Sequence, residues 1–178
     1  GSNNGMWVAV GAGTSCVASS FDGINWVSRN TTLFNNVGNG VAYNGSLWVA
    51  VGQSTNTIAT STNGINWTGL GATIFTTAGY GVAWNGSMWV TVGQGTNTIA
   101  YSFNGTSWTA VTSSPISSIG YNVAWNGSLW VAVGSGGNSI ATSYDGIVWT
   151  GRTGTTVFTT QGLSISWTGS LWFGVEGF

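Results

Sequence analysis

Apolar residues along the chain fall into short runs of four or five, separated by clusters of Asn, Gly, Ser and Thr, and none of them recurs at helical spacing. In the run Leu47-Trp48-Val49-Ala50-Val51, alternation puts Leu47, Val49 and Val51 on one face and Trp48 and Ala50 on the other. Both faces are apolar, which predicts a strand covered on two sides. Around it the pattern predicts four strands: A at about 40–43, B at 47–51, C at 57–61 and D at 65–68. Asn44-Gly45 joins A to B, and Asn63-Gly64 joins C to D. Asn-Gly is the favoured pair of the tight primed turn, whose two central residues need positive φ, so both connections are expected to be antiparallel hairpins.

The same pattern recurs along the whole chain. Its B-strand tryptophan stands at Trp7, Trp48, Trp89, Trp130 and Trp172, in steps of 41, 41, 41 and 42, and a second series runs Trp26, Trp67, Trp108 and Trp149 in steps of 41. The extra residue of the last step falls within 150–157, and an insertion tolerated there marks a loop. Four antiparallel strands per unit of about 41 residues, dry on both sides, describe a propeller blade. The expected fold is therefore all-β, a single β-propeller domain over residues 1–178, with four or five blades. Its units span about 1–37, 38–78, 79–119 and 120–161, with a partial unit at 162–178. Strand B occurs five times and A, C and D four times each. The spare B strand leaves three arrangements open: a ring of four, a ring of five with incomplete blades, or pairing of that strand with another chain, since an unpaired apolar strand is a template for association.

The turn from C to D carries its own signature. Ser20-Phe21-Asp22-Gly23-Ile24-Asn25-Trp26 recurs at 61–67, 102–108 and 143–149 as Ser-x-Asp/Asn-Gly-x-x-Trp, with Asp22, Asn63, Asn104 and Asp145 at the third place. It resembles the Asp-box (BNR) repeat of sialidase-like and lectin-like propellers, where the box forms the turn between the third and fourth strands of a blade. The spacing is one residue shorter than Ser-x-Asp-x-Gly-x-Thr-Trp, and Asn replaces Asp in two copies. The resemblance implies the blade and a structural turn role for those four residues, without implying an activity. The side chain at the third place is expected to accept backbone N–H bonds within its own turn.

Composition narrows the function. The chain has two Arg, three acidic residues, no Lys and no His, so charged residues make up 3% of it, and its net charge is −1. Two arginines cannot neutralise a phosphate backbone, so no nucleic-acid partner is expected. No apolar run reaches the ~18 residues of a membrane helix and no signal-peptide pattern opens the chain, so no membrane insertion is expected. Gly1-Ser2 reads as an expression scar. The Asn-x-Ser/Thr triplets at Asn44, Asn66, Asn85 and Asn126 fit an extracellular or surface setting, although turn geometry already accounts for most of them. Cys16 has no partner for an internal disulfide and stands where other units carry Thr or Ser, which predicts a small strand residue.

Catalytic chemistry is not expected. Glycoside hydrolysis normally takes two positioned carboxyl groups. Here Asp22 and Asp145 belong to turns, Glu176 stands alone, and no His or Cys/His cluster offers a base, a metal site or a cofactor site. The tryptophans are expected to be packing residues, each removing about 150–250 Å² from water. The A–B and C–D turns share one end of each blade, leaving the longer B–C loops and D–A crossovers together at the other, where propeller ligands usually sit. That end offers Gln53, Asn56, Gln94, Asn97 and Asn138 from the B–C loops. The crossovers add Phe34, Phe75 and Phe158 at one equivalent position and Tyr80 and Tyr121 at another. Uncharged amides and hydroxyls beside aromatics predict a non-enzymatic, lectin-like propeller that binds neutral glycans at repeated sites. The competing expectation is a structural repeat scaffold, natural or engineered, that assembles into homo-oligomers through the spare strand.

Overall fold

The computed structural model describes residues 2–3, 5–30, 32–35, 37–152 and 158–177. Among them there are only strands, turns and loops, and no helix that could cross a membrane. The first unit contains β1 (Ser2–Asn3), β2 (Met6–Val10), β3 (Val17–Ser20) and β4 (Val27–Asn30). The second contains β5 (Val37–Tyr43), β6 (Trp48–Gln53), β7 (Ile58–Ser61) and β8 (Thr68–Gly69). The third contains β9 (Ala78–Trp84), β10 (Trp89–Gln94), β11 (Ile99–Ser102) and β12 (Thr109–Ala110). The fourth contains β13 (Ile116–Trp125), β14 (Trp130–Gly137), β15 (Ile140–Ser143) and β16 (Thr150–Gly151), and β17 (Gly162–Trp167) pairs with β18 (Trp172–Glu176) in the fifth. Within each unit the pairing is antiparallel in chain order, the meander of a blade, and the fold is an all-β propeller.

Hydrophobic alternation accounts for the pairing. Trp48, Val49, Ala50 and Val51 are all fully buried, so β6 is dry on both faces as its sequence predicts. The two faces serve different neighbours. The Leu/Met-Val-Val face of one blade packs on the Trp-Ala face of the next: Met6 and Val8 on Trp48 and Ala50, Val49 and Val51 on Trp89, Met88 and Val90 on Trp130 and Ala132. Val131 and Val133 meet Ile165 and Trp172 at the fourth junction. The core is thus divided into four equivalent slabs, one between each pair of blades. Burial of Trp48, Trp89 and Trp130 leaves each indole N–H without an acceptor. Such a group costs about 1–3 kcal/mol, which the buried area of the ring outweighs, at roughly 4–6 kcal/mol gross for 150–250 Å².

At each junction one backbone pair links the blades, at the end away from the A–B turns: Ala12 with Val37, Gln53 with Ala78, Gln94 with Ile119 and Ser135 with Gln161. These pairs repeat every 41 residues until the last partner, which lies one residue later. The extra residue expected within 150–157 falls partly on 153–157, outside the described residues. The A strands of successive blades lie against each other: a Cβ on Gly40 would sit 3.0 Å from the Tyr80 carbonyl oxygen, and one on Gly81 3.0 Å from Asn122 Cα.

The turns differ from the sequence expectation in mechanism. Among the non-glycine residues described, only Asn35 and Ser54 have positive φ, so Asn44 and Asn63 do not occupy a primed turn. Instead Asn44 Oδ1 accepts the backbone N–H of Ser46 (2.9 Å) and Leu47 (2.7 Å), and the Asn44 N–H donates to the Leu47 carbonyl (3.1 Å). The asparagine side chain closes the loop, and only Gly45 takes the left-handed side of φ. Strand D is likewise shorter than predicted and displaced: β8 is Thr68–Gly69 rather than 65–68, because the preceding turn consumes residues 62–66. Cys16 is buried, as a small apolar residue, but it stands in the bend immediately before β3 rather than in the strand expected of it.

Candidate functional site

The four C–D turns are built alike. Asp22 Oδ1 accepts the N–H of Ile24 (2.8 Å) and Asn25 (2.7 Å), and Asn63 Oδ1 accepts those of Ile65 (3.0 Å) and Asn66 (2.9 Å). Asn104 and Asp145 repeat the arrangement with Thr106 and Ser107 and with Ile147 and Val148. The indole N–H of the closing tryptophan donates to the turn glycine carbonyl, from Trp26 to Gly23 (3.2 Å) through to Trp149 to Gly146 (3.0 Å). The backbone donors on Asp22 and Asp145 hold both carboxyls below the ordinary aspartate range, with the Asn25 side chain adding to the effect at Asp22. Thr159, through its backbone N–H and then its hydroxyl, does the same for Glu176. Arg29 Nε donates to Ser19 Oγ (2.6 Å) and Arg152 Nε to Thr142 Oγ1 (2.8 Å), each across its own blade. The charged side chains are therefore engaged separately with uncharged groups, and no cluster of three or more His, Cys, Asp or Glu occurs among the described residues.

At the opposite end, the crossover aromatics and the loop amides serve the scaffold. Phe34 and Phe75 are fully buried. Phe34 lies over Gly52 and Phe75 over Gly93, so closely that a Cβ on either glycine would fall 2.6 or 2.7 Å from the ring. Their faces are spent on packing and offer nothing for stacking. Phe158 is half-buried against Val133 and Ile165 and lies over Gly174. The amides reach back to the crossover of the preceding blade, with Asn56 Nδ2 donating to the Leu33 carbonyl (2.9 Å), Asn97 to Ile74 (2.8 Å) and Asn138 to Pro115 (3.2 Å). Asn56 Oδ1 also accepts the Gly71 N–H at 3.0 Å. This 41-residue series braces loop against crossover, a role as regular as the repeat itself.

Several zones of that end remain partly open, one of them, of about 390 Å³, lying beside Thr159, Thr160, Glu176 and Gly177. Near the adjoining A strands, the Tyr80 and Tyr121 rings stand 5.5 Å apart, centroid to centroid, at 49°. The Tyr80 hydroxyl donates to Gln94 Oε1 (3.2 Å), and burial together with the neighbouring Tyr121 raises its pKa above the ordinary phenol value. Gln53 is half-exposed at the position equivalent to Gln94. Asn39, at the position equivalent to Tyr80, donates instead to the Gly79 carbonyl of the next blade (2.8 Å).

Further out, the B–C loop and the following crossover of the third blade enclose an open cleft of about 210 Å³. Thr96, Asn97, Thr98, Thr112, Ser114 and Ser117 line it, with Val111 and Ile116 as its apolar part. Thr98 Oγ1 lies 2.7 Å from Ser114 Oγ and 2.6 Å from the Ile116 carbonyl oxygen, which fixes both hydroxyls at its wall. Of the residues expected here from sequence, only Asn97 belongs to this cleft. The hydroxyl residues were missed because each is unremarkable alone. The available signal was the placement of Thr98 beside Ser114 and Ile116, which follows once strand C is set next to its own crossover.

No protein-family model matches the chain, and no curated protein matches it in sequence. Its fold is similar to that of several solved structures. One is in a nidogen/laminin complex, with TM-score 0.70 and 11% identity over 94% of this chain and 70% of that one. Another is the computationally designed Ika8 protein, with TM-score 0.64 and 12% identity over 94% of this chain and 51% of that one. A third is the GH74 enzyme of Niastella koreensis, with TM-score 0.59 and 21% identity over 84% of this chain and 22% of that one. At these identities the likeness is one of fold, and what the chain is similar to is the β-propeller.

Proposed function

We propose that the chain is a non-enzymatic binding propeller of the Asp-box, lectin-like kind that takes neutral glycans at the end carrying the B–C loops and crossovers. The observation that carries this reading is the cleft of about 210 Å³, lined by hydroxyls, an amide and two aliphatic side chains, with no ionisable group in its wall. A sugar hydroxyl both donates and accepts, as Thr, Ser and Asn side chains do, and the exchange desolvates no charge. The apolar contribution is small: Val111 keeps only an 8% exposed edge for the carbon face of a sugar ring, and Ile116, fully buried, adds none. Equivalent loops recur around the molecule, and linked weak sites gain about 10²–10⁴ in avidity on a multivalent surface. The separate placement of Asp22, Asp145 and Glu176 supports binding without hydrolysis, which calls for paired carboxyls.

A glycan array followed by calorimetric titration with the strongest neutral oligosaccharide tests this. Saturable binding is expected at up to millimolar sugar, weakened at least several-fold by Ser117→Tyr, which fills the cleft from an exposed position. No heat from any neutral oligosaccharide at millimolar concentration overturns it. A second reading, a structural repeat scaffold without a small-molecule ligand, draws support from the Asn56, Asn97 and Asn138 series, whose amides are committed to bracing crossovers.

A further inference from the structure

The four internal junctions define what each face of a blade is made to meet. On one side is the Leu/Met-Val-Val face, fully buried at Val49 and Val51 and at Val90 and Val92. On the other is the Trp-Ala face, fully buried at Trp48, Ala50, Trp130 and Ala132. The C–D turn glycine of the receiving blade completes the seat. A Cβ on Gly64 would lie 2.6 Å from Met6 Sδ and 3.1 Å from Val8 Cγ2, and one on Gly105 would lie 2.6 Å from Leu47 Cδ2.

One face of each kind is left uncovered. In the first blade Trp7 is 48% exposed and Trp26 45%, Ala9 is exposed, and the space over Gly23 contains only the edge of Trp7. In the fifth, Leu171, Phe173 and Val175 are 57%, 56% and 58% exposed. They stand at the positions of Leu47, Val49 and Val51, and Trp7 and Ala9 at those of Trp48 and Ala50. Among the described residues no strand pairing joins β17 or β18 to β1–β4, and the exposure of Trp7, Trp26, Leu171, Phe173 and Val175 shows that the two faces do not cover each other within the chain. Neither face carries a charge, and a net charge of −1 gives little repulsion between copies.

We propose that the Leu171-Phe173-Val175 face of one copy docks on the Trp7-Ala9-Gly23-Trp26 face of a second copy, forming a fifth junction of the kind already present four times within the chain. The occupant is a second copy because the two faces keep the register of every internal junction and its apolar tryptophan-on-aliphatic pairing, Phe173 standing where the internal junctions carry Val. The contact is head-to-tail, so each copy keeps one face free for the next. The inference stands apart from the glycan reading and uses none of the cleft residues.

Sedimentation velocity across a range of concentrations tests it. The 178-residue chain is expected to shift from 18.3 kDa to twice that mass or more as concentration rises. Phe173→Glu and Ala9→Arg, both at exposed positions, are each expected to stay monomeric, with circular dichroism confirming a folded chain. Mixed one to one, they are expected to form a dimer, because each variant retains the face the other lacks. A monomer at every concentration overturns the proposal, whether the faces stay open or close on each other within one chain. Association that persists in Ala9→Arg alone also overturns it, since that outcome marks a symmetric contact between two Phe173 faces. If either variant misfolds, the wild-type mass together with acrylamide quenching decides: tryptophan fluorescence must become less quenchable as concentration rises, and an unchanged quenching constant counts against docking.

Discussion

Asp22 and Asn63 stand one period apart in the same turn and accept the same two backbone N–H groups at similar distances, yet only one of them titrates. The donors favour the charged form of Asp22 and Asp145 and lower both pKa values in the folded chain. A lowered folded pKa means that the stabilisation is complete above the unfolded value, about pH 4, and is lost as pH falls below it toward the folded value. The turns at Asn63 and Asn104 have no such dependence. Acidification below about pH 4 is therefore expected to loosen the C–D turns of the first and fourth blades and spare those of the second and third. Amide resonances of Ile24, Asn25, Ile147 and Val148 check this against Ile65, Asn66, Thr106 and Ser107. Asp22→Asn is expected to abolish the acid response of the first turn alone, and a uniform response in all four turns contradicts the assignment.

The two hairpins of a blade look alike in sequence but differ in what lies beside them. Gly45 has φ +102° with open space around its Cβ position, whereas Gly64 has φ +68° and faces Met6 and Val8 of the preceding blade. Gly45→Ala is expected to cost about 1–2 kcal/mol from backbone strain. Gly64→Ala adds overpacking of about 1–3 kcal/mol. Urea denaturation of the two variants checks the order, and equal costs would mean that the C–D turn does not seat against its neighbour. The same comparison explains what the sequence made legible. Strand order and the two-sided burial of β6 follow from alternation and period, which are local, whereas β1 (Ser2–Asn3), which pairs with β2 ahead of the first B strand, carries no apolar alternation and was not expected. The Asn-Gly pairs marked the hairpins correctly but not their mechanism, because an asparagine side chain closing its own loop and a primed turn leave the same dipeptide behind. At the candidate site, Phe34 and Asn56 look like ligand groups by residue type. Their commitment to Gly52 and the Leu33 carbonyl depends on how a crossover lies over the next loop, which no spacing within one unit encodes.

For the whole molecule, stability is a sum over similar blades and the slabs between them, as in other repeat folds. The third blade has both faces covered, while Trp7 on one side and Phe173 on the other face solvent. Amide hydrogen exchange is accordingly expected to be slowest in β10 and β11 and to quicken outward to β2 and β18. Equal protection across all blades would mean that the chain opens as one unit. The backbone pairs between blades bear on shape in a different way. Each junction has a single such pair, all at the same end, and the slab beyond it is side-chain packing, apart from the close approach of the A strands at Gly40 and Gly81. Successive blades are thus arranged like the leaves of a fan on one rivet, and spreading or closing the leaves strains apolar packing while every ladder bond stays made. Curvature in this protein is consequently a property of side-chain volume in the slabs, and a few methylene groups more or less at Val49, Val90 or Val131 would set how many leaves complete a circle.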